Sequence, residues 1–249
     1  MAEKYLRQSP LAHLHLEARA VSDPGDAGVA LCERPSRGQL ALRGETQDKA
    51  FTSAVEQVLS VGLPTEANTA TTKGDTSVLW LGSNEWLVVM PDGREEETAD
   101  VLGRVLADCH FAVSNVSDSR VIIGLAGRHA RDVLLKGCSL DLHPRSFVPG
   151  QCAQSSLARC HMLLHQIDQT PTYDVYVHRS FADYVWRWLE DAAQEYRLAI
   201  VAEVSTEAAP KAPPERSRVA KGSSPARSSA KKRKKPSQPS QKKGEGAAV

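Results

Sequence analysis

The sequence lacks the features that would place it in a membrane, outside the cell or among nucleotide-binding enzymes. No apolar run approaches the length of a bilayer span, and the start, MAEKYLRQSP, has no apolar core of the kind a signal peptide carries. The five cysteines (Cys32, Cys109, Cys138, Cys152 and Cys160) include no C-x-x-C pair. An odd number spread through apolar segments points to reduced thiols rather than a disulfide framework. The expectation is a soluble, cytoplasmic protein. There is no G-x-x-x-x-G-K-[ST] phosphate loop. GLAG at residues 124–127 stands where a dinucleotide fingerprint would, but lacks the G-x-G-x-x-G spacing and the acidic ribose partner. No Ser or Cys occupies a recognisable nucleophile elbow.

What the chain does contain is unevenly charged. The formal net charge is +1, yet residues 205–249 hold 12 Lys+Arg against 3 Asp+Glu, a balance of +9 that leaves −8 for residues 1–204. The basic segment consists mainly of Ala, Pro, Ser and Lys and has no aromatic residue. It cannot bury enough apolar surface to offset the cost of ordering, so residues 205–249 read as a disordered basic tail behind a domain at 1–204. Its KKRKKPSQPSQKK run would bind a polyanion weakly through counterion release, but offers nothing to stack on bases. A solubilising extension is the preferred reading, and a nucleic-acid partner is not expected.

Along the domain, residues 11–16 alternate apolar residues with His13 and His15, which predicts a half-exposed strand. Two short strands follow, at 29–32 and 39–42, separated by the turn signal Arg34-Pro35-Ser36-Arg37-Gly38. From 46 to 60 the period becomes helical, with Phe51, Ala54, Val55, Val58 and Leu59 on one stripe. A Thr-rich loop then leads to SVLWLGSNEWLVVM, two apolar runs about Gly82-Ser83-Asn84 that predict a hairpin. Trp80 and Trp86 flank its turn and read as cover for a core edge rather than a ring-binding site. A helix over 95–108, with Val101, Leu102, Val105 and Leu106 inside, and a strand over 111–116 complete a β-α-β-β-α-β order.

The same order recurs from residue 120. Val121, Ile123 and Leu125 face one side of a strand and Ile122 and Ala126 the other, so this strand belongs in the middle of a sheet. A helix over 128–136 follows, with Asp132 four residues before Lys136 for support and Gly137 placed as a C′ glycine at φ > 0. Strands over 152–158, 161–167 and 173–178 come next. The helix over 180–196 is predicted to start at Ser180 as N-cap with Asp183 in a capping box, and to bury Phe181, Tyr184, Val185, Trp188, Leu189 and Ala192. A closing strand is expected at 198–204. Two tandem β-α-β-β-α-β units make an α+β fold of split β-α-β motifs.

Candidate sites are few. Cys152, Cys160, His161 and His165 can ligate metal, but Cys160 and His161 would point to opposite faces of a strand, so no zinc site is expected. In the turn CSLDLHPR, Asp141, His143 and Arg145 could supply an acid, a base and an anion clamp. The simpler reading is that Asp141 and Arg145 tie down the loop backbone while His143-Pro144 sets its direction. Gly137, Cys138, Asp141, His143 and Arg145 are therefore candidates for loop ordering or an interface, and no catalytic residue is assigned.

Three segments resemble a known family: WLGSNEWLVV at 80–89, VSDSRVIIGLAGRHARDVLLKGCSLDLHPRSFVPGQCAQSSLAR at 116–159, and YDVYVHRSFADYVWRWLEDAAQEY at 173–196. They resemble the gamma subunit of heterotetrameric sarcosine oxidase. The N-terminal part fits loosely, and the tail departs from the family pattern. The resemblance implies an assembly with alpha, beta and delta subunits that oxidatively demethylates sarcosine to glycine. Hydrogen peroxide is formed, and the methyl group leaves as formaldehyde or on tetrahydrofolate. It implies FAD and FMN with beta (FMN at its border with alpha), NAD and tetrahydrofolate with alpha, and zinc with delta. No cofactor is then expected on this chain, whose role would be structural. The implied fold is that of the folate-binding aminomethyltransferase domain. Two alternatives are a folate-dependent one-carbon transferase binding near Cys138–Arg145, and the gamma-like subunit of an N-methylglutamate dehydrogenase.

Overall fold

Alternation along the strands divides the chain between two sheets. The computed structural model describes residues 8–202, so the tail reading for 205–249 lies outside the described residues. The chain opens with a 3₁₀ turn, Ala12–Leu14, and a one-turn helix α1, Leu16–Arg19. Then come β1 (Val29–Glu33), β2 (Arg37–Gly44), α2 (Lys49–Leu59), β3 (Ala70–Lys73), β4 (Thr76–Gly82) and β5 (Glu85–Pro91). Next are α3 (Glu95–Val105), β6 (Phe111–Asn115), β7 (Arg120–Ala126), α4 (Ala130–Leu135) and β8 (Cys152–Leu157). The last elements are β9 (Cys160–Gln166), β10 (Tyr173–His178), α5 (Ala182–Ala193) and β11 (Leu198–Ile200).

The expected α+β architecture of two split β-α-β units is present. One sheet runs β3-β4-β5-β2-β6, with β2, β4, β5, β6 and helices α2 and α3 forming the first unit. The other runs β11-β1-β7-β10-β9-β8, with β7, β9, β10, β11 and helices α4 and α5 forming the second. Strand β1 is inserted into this second unit, parallel to β11 and antiparallel to β7. The turn signal between β1 and β2 is therefore a crossover between sheets, not a hairpin.

Residues on one face of each sheet meet helices. Leu40, Leu42, Trp86, Val88 and Met90 pack on Phe51, Val55, Leu59 and Leu102, while Leu31, Ile123, Leu125, Leu164 and Val175 pack on Val133, Leu134, Val185, Trp186 and Leu189. The alternate residues, Leu79, Leu87 and Val89 from one sheet and Ile122, Leu163 and Tyr176 from the other, meet face to face. The order of layers is helix, sheet, sheet, helix. Helix α2 starts where Asp48 accepts hydrogen bonds from the Ala50 and Phe51 amides, which supplies the N-cap.

Several local expectations are overturned. Residues 11–16 are not a strand: Ser9 Oγ accepts from the Leu11 amide at 2.9 Å and starts a 3₁₀ turn, and Leu11 is driven into the core. The Thr-rich loop contains β3, whose polar sequence gave no apolar signal. Val105 of α3 is 49% exposed. Helix α5 begins after a 3₁₀ turn at Arg179–Phe181, without a Ser180 cap, and Asp183 binds Arg187 and His13 instead. That entry rotates its stripe: Ala182, Val185, Trp186, Leu189, Ala192 and Ala193 are buried, while Phe181 and Tyr184 face out. Asp132 pairs with His129 and Lys136 with Glu195, so the expected Asp132–Lys136 pair is not made.

Trp86 is fully buried, donates from Nε1 to the Pro64 carbonyl at 2.8 Å and lies 6.0 Å from the Phe51 ring centroid. Trp86→Ala leaves a cavity and an unsatisfied carbonyl. Denaturant unfolding of this variant is expected to show a loss of about 3–5 kcal/mol.

Candidate functional site

The turn after α4 is built from its own hydrogen bonds. Asp141 Oδ1 accepts from the His143 amide at 3.0 Å and Oδ2 accepts from Ser146 Oγ at 2.7 Å. The Ser146 hydrogen bond, then the His143 amide and the Arg145 charge, hold the Asp141 carboxyl below its ordinary value. His143 Nδ1 accepts from the Arg145 amide at 3.2 Å. The His143 carbonyl accepts from the amides of Ser146 and Phe147. Between these exposed residues, Leu142 and Phe147 anchor the turn in the core.

Gly137 does not have the positive φ expected of it. A Cβ there would lie 2.5 Å from the Trp188 ring and 3.2 Å from the Ala158 nitrogen. The glycine is required by the close approach of α5, not by left-handed backbone. Cys138 is buried beside it, with its amide bound to the Leu134 carbonyl at 2.8 Å and a bridge to Leu157. Gly127 of the GLAG segment has φ +115°, and a Cβ there would meet the Gly28 carbonyl at 2.5 Å, so it accommodates the chain leading into β1.

A second polar region, which the sequence did not reveal, lies on the opposite face of the same sheet. A cleft of about 630 Å³ between the sheets is lined by Arg34, Arg37, Thr72, His165, Asp174 and Tyr176 among others. Arg34 Nε donates to Asp174 Oδ1 at 2.8 Å, with both side chains largely buried. His165 lies across the β9–β10 ladder from Asp174 and across the β8–β9 ladder from Cys152. Burial lowers the His165 pKa, against the opposing pull of Asp174. Burial, then Asp174, raises that of the Tyr176 phenol well above its usual value. The Cys152 thiol is pushed up to about 11 by burial, and it donates to the Thr69 carbonyl at 3.3 Å. At neutral pH these groups present a neutral imidazole, a phenol and a thiol around a guanidinium–carboxylate pair. That is the chemistry of binding, with no activated nucleophile in it.

Sequence reading missed this cleft because Arg34 stood in a turn signal and Asp174 and Tyr176 in a strand. The usable signal was the alternation in YDVYVH: Tyr173, Val175 and Val177 face the helices, which puts Asp174 and Tyr176 between the sheets. The metal candidates diverge: Cys152 packs between the sheets, Cys160 packs on the helix side and His161 is exposed. Among the described residues, no group of three or more His, Cys, Asp or Glu could hold a metal ion, and no helix is long and apolar enough to cross a membrane.

Two pH profiles test this electrostatic picture. Asp141 has a depressed folded-state pKa, so its contribution is present above its ordinary value of 3.8 and is lost as pH falls through the folded value. Asp141→Ala is expected to be less stable than the parent at pH 6, with the gap closing below pH 3.8. For His165 the unfolded chain takes up a proton below 6.5 while the folded chain does not, so stability falls with pH below that value. The slope is at most about 1.4 kcal/mol per pH unit, and thermal unfolding of His165→Gln should show a flatter profile.

The comparisons with known proteins agree with the geometry of the fold. The chain matches the family "Sarcosine oxidase, gamma subunit family" over residues 43–195. It is 35% identical over 205 residues to the sarcosine oxidase subunit gamma of Corynebacterium sp. strain U-96, covering 79% of this chain and 95% of that one. It is 32% identical over 199 residues to the subunit gamma of Arthrobacter sp., with the same coverage of 79% and 95%. Among solved structures, it superposes on a chain of the heterotetrameric sarcosine oxidase from Corynebacterium sp. U-96, determined in complex with pyrrole 2-carboxylate. The TM-score is 0.69 at 32% identity, covering 80% of this chain and all of that one. The glycine cleavage system aminomethyltransferase T from Bartonella henselae shares the fold, with a TM-score of 0.56 at 15% identity over 79% of this chain and 59% of that one. Taken with the paired split β-α-β units, these similarities make the chain a member of the sarcosine oxidase gamma subunit family.

Proposed function

We propose that this chain is the gamma subunit of a heterotetrameric sarcosine oxidase, assembled with alpha, beta and delta chains. The assembly demethylates sarcosine oxidatively to glycine, with hydrogen peroxide and either formaldehyde or methylene-tetrahydrofolate as the other products. In this reading FAD, FMN, NAD, zinc and tetrahydrofolate reside on the other chains, and the gamma chain serves structurally. The carrying observation is coverage: the match to the U-96 gamma subunit spans 95% of that relative, so the folded body of a subunit is present rather than a shared fragment.

The surface around the turn suits a contact with a partner. Leu135 is 50% exposed and Val148 40% exposed, on either side of the ordered polar loop that carries Asp141, His143 and Arg145. Exposed apolar side chains beside a rigid polar loop are what an assembly interface buries.

Co-expression of a tagged copy of this chain with the three partner chains is expected to yield a stoichiometric complex that oxidises sarcosine with release of hydrogen peroxide. Omitting this chain should reduce both complex yield and activity. Full activity from the other three chains alone would overturn the reading, as would stoichiometric flavin on the isolated chain. Activity on N-methylglutamate in place of sarcosine would reassign the substrate of the assembly.

A further inference from the structure

We infer that the cleft between the sheets is a binding site for a small monocarboxylate, held by Arg37 with His165 and Tyr176. Three observations converge there. The first is an orphan: His165 is 3% exposed, lines the cleft, and its Nδ1 is buried without a hydrogen-bond partner among the described residues. A buried ring nitrogen left unmatched is costly, so such atoms ordinarily meet a partner.

The second is the charge balance. Arg34 is matched by Asp174 at 2.8 Å. Arg37 lines the same cleft and has no carboxylate partner among the described residues. Asp75 also lines the cleft, but it is exposed and solvent screens it. Half-buried Arg37 also borders a neighbouring cleft that holds Glu33 and Asp92, but among the described residues neither pairs with it at ion-pair distance. On this side it is therefore the guanidinium open to a ligand, and one guanidinium suits a monoanion better than a phosphate dianion.

The third is proximity. The Tyr176 phenol, fully within the fold, feels the charges of Asp174, Arg34 and Arg37 together, so these groups belong to one electrostatic neighbourhood. A planar guanidinium with neighbouring neutral donors matches the two oxygens of a carboxylate. Burial keeps His165 neutral, so the imidazole can donate a hydrogen bond without adding a second positive charge. The site goes beyond the assembly role proposed above and does not depend on it.

The test uses the full-length chain, with acetate as the probe and chloride of equal ionic strength as the reference. Binding to the folded state raises the thermal midpoint with ligand concentration. Acetate is expected to raise it above the chloride curve, and Arg37→Gln to weaken the apparent affinity about ten-fold or more. His165→Gln should weaken it too, while Arg145→Gln, on the other face of the sheet, should respond like the parent. If Arg37→Gln fails to fold, the parent protein still decides the matter: the ring resonance absent from the spectrum of His165→Gln must shift on adding acetate. Coincident acetate and chloride curves would overturn the site, as would an unmoved His165 resonance or a larger response to inorganic phosphate than to acetate. Failure of assembly with partner chains would leave these readouts unaffected, so the two proposals fall separately.

Discussion

The face-to-face contact of the two sheets is the constraint on which the rest of the structure depends. Leu79, Leu87 and Val89 from one sheet meet Ile122, Leu163 and Tyr176 from the other. These side chains, the Tyr176 ring among them, present mainly apolar surface on the face away from the helices, so neither split β-α-β unit could leave that face in water without penalty. The contact is fixed at two margins by hydrogen bonds, main-chain at one and from a side chain at the other. At one, Ala70 N donates to the Gly150 carbonyl at 2.7 Å and Cys152 N to the Asn68 carbonyl at 2.9 Å. At the other, the Gln39 side chain of β2 reaches across, its Nε2 donating to the Arg120 carbonyl of β7 at 3.3 Å. Apolar burial provides the attraction, and these directional bonds fix the relative placement of the sheets.

The polar cleft is a consequence of the same arrangement. Where apolar side chains give out between the sheets, Arg34 and Asp174 enter as a pair. A largely buried ion pair contributes little net stability, because desolvation offsets most of its Coulomb attraction. Losing one partner would nevertheless strand the other, so the pair constrains how the sheets meet. His165, Tyr176 and Cys152 are kept neutral by the same exclusion of water.

The turn that follows α4 lies on the other side of that sheet and has a different physical basis. Its polar residues bind one another and the local backbone, while Leu142 and Phe147 hold it to the core. Gly137, just before it, admits the Trp188 ring. Family membership, carried in part by this segment, thus coincides with packing requirements that the fold imposes.

Much of this was legible in the sequence. The hairpin of β4 and β5, the central position of β7 and the repeated split β-α-β order follow from period and punctuation, which are local properties of backbone and side-chain direction. The segments resembling the gamma subunit family were legible too. What the tertiary structure decided concerns partners far apart in the chain. It placed β1 between β11 and β7, made polar β3 an edge strand, rotated the buried stripe of α5, and brought Arg34 from a crossover against Asp174 of β10. Periodicity states that a residue has an inward face, but not what lies opposite. The cleft exists only where two sheets approach, so its residues carried no common signal until the chain had folded.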